Sequence, residues 1–135
     1  MTQPRYCIGI DLGTTNCVLS YVDRQQPQRG SQVLAINQWD SATTRIENPA
    51  LPSFAYTPTT SERPQFSNTG DAVPEPIDGW VAGFYARQQM AFSPGRVIHS
   101  AKSWLCHADV DRTAAILPWQ SEEIAETEKC SPVQA

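Results

Sequence analysis

Tyr6-Cys-Ile-Gly-Ile-Asp-Leu-Gly-Thr-Thr-Asn-Cys-Val-Leu-Ser-Tyr-Val22 is the stretch on which the fold turns. Residues 6–11 and 17–22 are two β-rich runs, joined by the short link Leu12-Gly-Thr-Thr-Asn16, and that pattern predicts a hairpin. In the link, Gly13 is free to take a positive φ. Successive N–H groups of Gly13, Thr14 and Thr15 then converge on one concavity suited to phosphate oxygens. The Thr14 and Thr15 hydroxyls add donors. Asp11, at the strand end, offers a hard anionic oxygen to Mg²⁺, through the ion's water shell because Mg²⁺ dehydrates reluctantly. On the residues alone, the same pattern also suits an ordinary hairpin.

Outward from this hairpin, residues 23–31 form a polar loop with Pro27 and Gly30. Residues 32–37 predict a third strand that continues the meander, residues 43–46 a weaker one, and residues 53–57 a better one introduced by Pro52. Residues 1–57 thus form a strand meander carrying the turn. Residues 58–79, with Pro58, Pro64, Pro74, Pro76, Gly70 and Gly79, predict a long irregular loop. Residues 80–83 read as a short strand or turn and residues 84–92 as a helix closed by Ser93-Pro94-Gly95. A second helix is expected over residues 97–105, with Val97, Ala101 and Trp104 on one face and Trp104 as a core anchor. Residues 80–105 would complete the same lobe. Residues 106–135 are irregular, and Glu122, Glu123, Glu126 and Glu128 suggest a solvated acidic face. Ser131-Pro132 has the form of a helix start, with Ser as cap and Pro in the first position. The chain stops three residues later, too soon for a helix to repay its nucleation, so the sequence reads as the front portion of a longer protein.

Composition narrows the function classes. With 10 basic and 14 acidic side chains in 135 residues there is no basic excess, which argues against a nucleic-acid binder. No apolar run approaches the ~20 residues of a membrane span. The length suits one core, and 11 prolines imply that much of the chain is connection. Cys7, Cys17, Cys106 and Cys130 lack CxxC spacing, and the N-terminus lacks a secretory pattern. They read as small buried thiols of a reducing cytoplasm. Cys106, His107 and Asp109 lack a fourth metal ligand at the usual spacing.

Gly9-Ile-Asp-Leu-Gly-Thr-Thr-Asn16 resembles the first phosphate-binding motif of the actin-like ATPase superfamily, in particular the seventy-kilodalton heat-shock (DnaK-like) chaperones. Sugar kinases share a similar turn. Three further blocks favour the chaperones. Glu47-Asn-Pro-Ala-Leu-Pro-Ser-Phe-Ala-Tyr56 is similar to their T-P-S strand entry, with Leu51 where Thr is usual. Val81-Ala-Gly-Phe-Tyr-Ala-Arg87 is similar to their I-G-x-x-A-K segment. Residues 92–105 follow their N-P-x-N-T stretch without a gap, and Lys102 matches a family lysine, although an ordinary solvated helix lysine fits as well.

The resemblance covers residues 6–105 and implies a mixed α/β (α+β) chain. Its fold would be the ribonuclease-H-like N-terminal lobe of an actin-like ATPase, mostly antiparallel meander with short helices. It places Asp11 near Mg²⁺, and Gly13, Thr14, Thr15 and Asn16 at the β- and γ-phosphates of ATP. The family's catalytic lysine falls on Arg87, which keeps the charge but changes a compact ammonium into a planar fork. Residues 58–79 become an insertion, and residues 106–135 leave the family pattern. The implied function is the front of an ATPase domain of a cytoplasmic chaperone-like protein that couples ATP·Mg to unfolded polypeptides and co-chaperones. Nucleic acid and membranes are not expected partners. The family's second phosphate loop and adenosine loop cannot be read in these residues, so the chain alone is expected to bind ATP weakly and to lack activity. Exposed apolar surface is expected to favour self-association. The alternatives are a sugar-kinase N-terminus and a pseudo-ATPase interaction scaffold.

Overall fold

Alternating apolar side chains and a short turn build the first hairpin as expected. In the computed structural model, which describes residues 3–66 and 79–135, strand β1 (Tyr6–Leu12) pairs antiparallel with β2 (Asn16–Asp23), from Tyr6 opposite Asp23 to Leu12 opposite Cys17. A 3₁₀ turn at Pro27–Arg29 reverses the polar loop, and β3 (Gln32–Val33) adds to the other edge of β2. The predicted third strand divides here. Leu34 donates its N–H to the Leu19 carbonyl, and the chain then leaves this sheet for a second one, a hairpin of β4 (Ile36–Trp39) and β5 (Arg45–Asn48). The physical reason is burial: Gln38 and Trp39 are buried in the core, whereas β3 lies on a solvent-washed sheet.

β6 (Leu51–Pro52) returns to pair with the start of β2, with Cys17 opposite Leu51. A third, antiparallel sheet follows, in the order β8 (Val81–Ala82), β7 (Phe54–Tyr56), β9 (Val97–His99). Helix α1 (Phe84–Gln89) packs on it. Trp39, Tyr56, Phe66, Val81, Tyr85, Ala86 and Val97 form the core. Its aromatic rings meet edge-on, Trp39 with Phe66 at 5.1 Å and Tyr56 with Tyr85 at 5.8 Å. The chain is therefore a mixed α/β protein of antiparallel sheets with few short helices.

Several expectations need correction. Residues 97–99 are a strand, and only α2 (Ala101–Leu105) is helical. Val97 and Ile98 are β-branched and buried, and pairing with β7 wins over their helical spacing. Trp104 is not a core anchor: it is half-buried against the exposed Trp119, ring centroids 5.1 Å apart. Within the expected loop 58–79, Pro58 and Phe66 are buried and a 3₁₀ turn spans Arg63–Phe66, while residues 67–78 lie outside the described residues. All four cysteines are free, yet none is buried, and Cys7 and Cys106 are exposed. The acidic stretch is solvated as expected, with Glu122, Glu123 and Glu126 exposed and Glu128 half-buried; Glu123 also accepts the Gly95 N–H and Glu128 pairs with Arg63. Ser131 does cap a turn, its Oγ accepting the Gln134 N–H at 3.3 Å. Among the described residues no helix is long and apolar enough to cross a membrane.

Candidate phosphate-binding turn

The hairpin stands apart from the core, with all of β1 exposed and β2 half-buried. Two residues from outside the hairpin, Ser53 and Lys102, hold its turn to the rest of the chain. Ser53 donates from its N–H to the Thr15 carbonyl at 2.9 Å and from Oγ to the Gly13 carbonyl at 2.7 Å. Lys102 Nζ donates to the Leu12 carbonyl at 2.6 Å, and the Cys17 thiol lies 3.5 Å from Ser53 Oγ. Within the turn itself, Gly13 donates its N–H to the Asn16 carbonyl at 3.1 Å.

This geometry changes the expected site in two ways. Gly13 does not take a positive φ; among the described glycines Gly30, Gly79 and Gly83 do. Glycine is required at 13 by close approach instead, because a Cβ there would lie 2.2 Å from the Asn16 carbonyl oxygen. The Gly13 N–H, spent on Asn16, is not available to a ligand, so the expected three-amide nest becomes a two-amide one at Thr14 and Thr15.

What remains has a consistent polarity. Of the five carbonyls from Leu12 to Asn16, those of Leu12, Gly13, Thr15 and Asn16 are engaged by Lys102, Ser53 Oγ, the Ser53 N–H and the Gly13 N–H. The amides and hydroxyls of the exposed Thr14 and Thr15 have no hydrogen-bond partner among the described residues. A turn whose acceptors are drawn back and whose donors face solvent, with an ammonium at its root, favours an anion. The exposed Asp11, whose carboxylate has no hydrogen bond or ion pair among the described residues, stands one residue before the Leu12 carbonyl that Lys102 holds. No cluster of three or more metal-ligating side chains occurs among the described residues. A cation at Asp11 would thus be held by one carboxylate, its own water and the ligand's oxygens, which suits Mg²⁺.

Among the described residues, Arg87 is not brought to this turn by any hydrogen bond, ion pair or ring contact. It lies exposed on α1, its guanidinium 5.0 Å from the centroid of its own helix's Phe84. Lys102, which the sequence leaves between a family lysine and a solvated one, is the cation at the turn. Sequence reasoning places Ser53 only in the T-P-S-like strand entry and gives it no role at the turn. Asn16 is half-buried and contributes its carbonyl to the turn's internal bond. Cys106 and His107 follow α2, with His107 against the Trp104 ring and its Nδ1 accepting the Asp109 N–H at 3.4 Å.

α1 is positioned by a distant residue. Its N-cap is Gly83, which has no side chain to cap with, and Gln38 of β4 substitutes. Gln38 Oε1 accepts the Phe84 N–H at 2.9 Å while Nε2 donates to the Ala50 carbonyl at 3.1 Å. That bridge joins the α1 start to the segment that carries Leu51, Pro52 and Ser53 towards the turn.

No protein-family model, no curated protein and no solved structure matches the chain.

Proposed function

We propose that the chain is the phosphate-binding front of a nucleotide-binding lobe of the actin-like, heat-shock-chaperone type, serving a protein that couples ATP·Mg to polypeptide binding. The observation that carries this reading is the Thr14–Thr15 turn, with its acceptors engaged by Ser53 and Lys102 and its donors facing solvent. Thr14 and Thr15 would hold phosphate oxygens, Lys102 would add positive charge, and Asp11 would orient hydrated Mg²⁺. The two antiparallel strands of the hairpin and the strand entry at Ser53 support the ribonuclease-H-like assignment. With phosphate contacts only, binding would be weak and nearly indifferent to the base.

Amide chemical shifts of the chain, titrated separately with Mg·ATP and Mg·pyrophosphate, test this. Thr14 and Thr15 should move most with either ligand, and Lys102→Met should weaken both several-fold. Absence of any shift at about 10 mM, where a site worth only ~3 kcal/mol would be half filled, would defeat the reading, as would shifts centred elsewhere.

A second reading, a phosphate-binding scaffold without hydrolysis, is favoured by the exposed Arg87, which makes no hydrogen bond to the turn. Release of inorganic phosphate from Mg·ATP by the purified chain would sink it.

A further inference from the structure

At the end of the hairpin away from the Thr14–Thr15 turn, a cavity of about 180 Å³ opens between the sheet and the 3₁₀ turn Pro27–Arg29. Gly30, at a φ of 64°, turns the chain from that 3₁₀ turn into β3. The strand register sets Tyr6 opposite Asp23 and Tyr21 opposite Gln32. All four side chains therefore lie on one sheet face, and they line the cavity together with Arg29. Every lining residue falls between Arg5 and Gln32, so the cavity is complete within the hairpin and the loop to β3.

The polar groups around it are unevenly spent. Asp23, its side chain only 13% exposed, accepts from Arg5 Nη2 at 2.7 Å, from Arg5 Nε at 3.2 and 3.3 Å, and from the Gln25 N–H at 2.9 Å. Those bonds saturate the carboxylate and cancel the Arg5 charge. Tyr21 donates its hydroxyl to Gln32 Oε1 at 3.2 Å, leaving Nε2 as the unpartnered end of that amide. The exposed Arg29 guanidinium has no hydrogen bond or ion pair among the described residues. The Arg5 hydrogen bonds first, then the Gln25 N–H, hold the Asp23 carboxyl below its usual range, and the charge of Arg29 reaches far enough to assist. One uncompensated cation is thus left for a ligand, with the Gln32 amide and the Tyr6 hydroxyl on the same lining.

Those groups select the chemistry. A guanidinium is a planar fork that grips a carboxylate or a phosphate through two parallel hydrogen bonds. One free positive charge near Asp23 balances a monoanion but not a dianion, which favours the carboxylate. The Tyr6 and Tyr21 rings meet edge-on with centroids 5.9 Å apart, and Tyr6 is 46% exposed, so the same cavity has an aromatic wall. Its volume is below the ~300 Å³ of sites for drug-sized molecules, which suits a small acid or the terminal residue of a longer chain.

We propose that this cavity is a second anion site, separate from the Thr14–Thr15 turn, which takes a carboxylate borne on a flat apolar group. Arg29 grips the carboxylate, and Tyr6 and Tyr21 flank the apolar body. Amide and arginine Nε–H chemical shifts, followed on addition of benzoate or of N-acetyl-phenylalanine, test it with one probe for a free acid and one for a peptide C-terminus. Either should move the Arg29 Nε–H and the Gly30 and Gln32 amides at about 1–10 mM, and the tighter of the two identifies the source. Their uncharged counterparts, benzamide and N-acetyl-phenylalaninamide, should bind about tenfold more weakly. Arg29→Gln, at an exposed position, should weaken benzoate as much without loss of fold. The Thr14 and Thr15 amides and the Arg24 Nε–H should stay still. Absence of shifts at about 20 mM overturns the proposal. So do equal shifts from acids and amides, shifts that survive Arg29→Gln, or shifts that include Arg24, as unspecific ion pairing would produce.

Discussion

At the scale of single residues, Gly13 shows how a turn can demand glycine without using its conformational freedom. Its φ is ordinary, but the Asn16 carbonyl occupies the space a Cβ would take, 2.2 Å away. Gly13→Ala must therefore open the turn and lengthen the Gly13–Asn16 bond. We expect a loss of about 1–3 kcal/mol in urea unfolding, the usual cost of overpacking, together with altered Thr14 and Thr15 amide shifts. The glycine's importance was legible in the sequence, but its reason was not. A pattern of Gly-Thr-Thr specifies a tight turn, whereas the conflict at 2.2 Å exists only once Asn16 has folded back. Lys102 makes the same point: nothing in its neighbours identifies it as a turn anchor, since its carbonyl partner lies 90 residues earlier.

Among the elements, the segment after β7 is the clearest case of local order in what composition marks as loop. Glu62 accepts the Tyr56 hydroxyl at 2.8 Å and both the Thr59 N–H and hydroxyl at 2.7 Å, fastening the 3₁₀ turn Arg63–Phe66 so that Phe66 enters the core. Burial pushes the Glu62 carboxyl up, but the Thr59 and Tyr56 hydrogen bonds and the charge of Arg96 outweigh it and hold the group below its usual 4.5. Burial, aided by Glu62, conversely raises the Tyr56 hydroxyl and keeps it a donor. A carboxyl lowered by folding stabilises the fold fully above its unfolded value of 4.5, and that contribution is lost as pH falls through the lower folded value. Glu62→Gln should thus be less stable than the parent chain near pH 7, and the gap should narrow below pH 4.5. Urea midpoints measured at about pH 7 and about pH 3 check this.

For the whole molecule, the acidic stretch after α2 is tied back to the core by Arg96. Its guanidinium donates to the carbonyls of Thr57 at 2.9 Å, Pro58 at 3.3 Å and Glu123 at 2.8 Å, joining β7, the loop after it and the acidic stretch. Leu117 and Cys130 then close that stretch by exchanging both backbone bonds. Arg96→Ala should raise amide exchange across residues 117–130 by about tenfold, the loss of one or two hydrogen bonds from a charged donor, while the β1–β2 amides are unchanged. Equal acceleration in both regions would show that the segment is not separately anchored. What the sequence determined alone is local: the hairpin with its Thr14–Thr15 turn, the antiparallel β character of the first half, and a helix beginning at Phe84. Period-two alternation, β-branched side chains and turn residues act over a few positions, so they are visible in a short window. Only the tertiary structure decided that residues 32–39 serve two sheets, that Val97–His99 is a strand, and that Ser53 and Lys102 turn the hairpin's acceptors inward. Those outcomes depend on which partner reaches a given backbone group, and the partners that hold the turn come from 40 and 90 residues away.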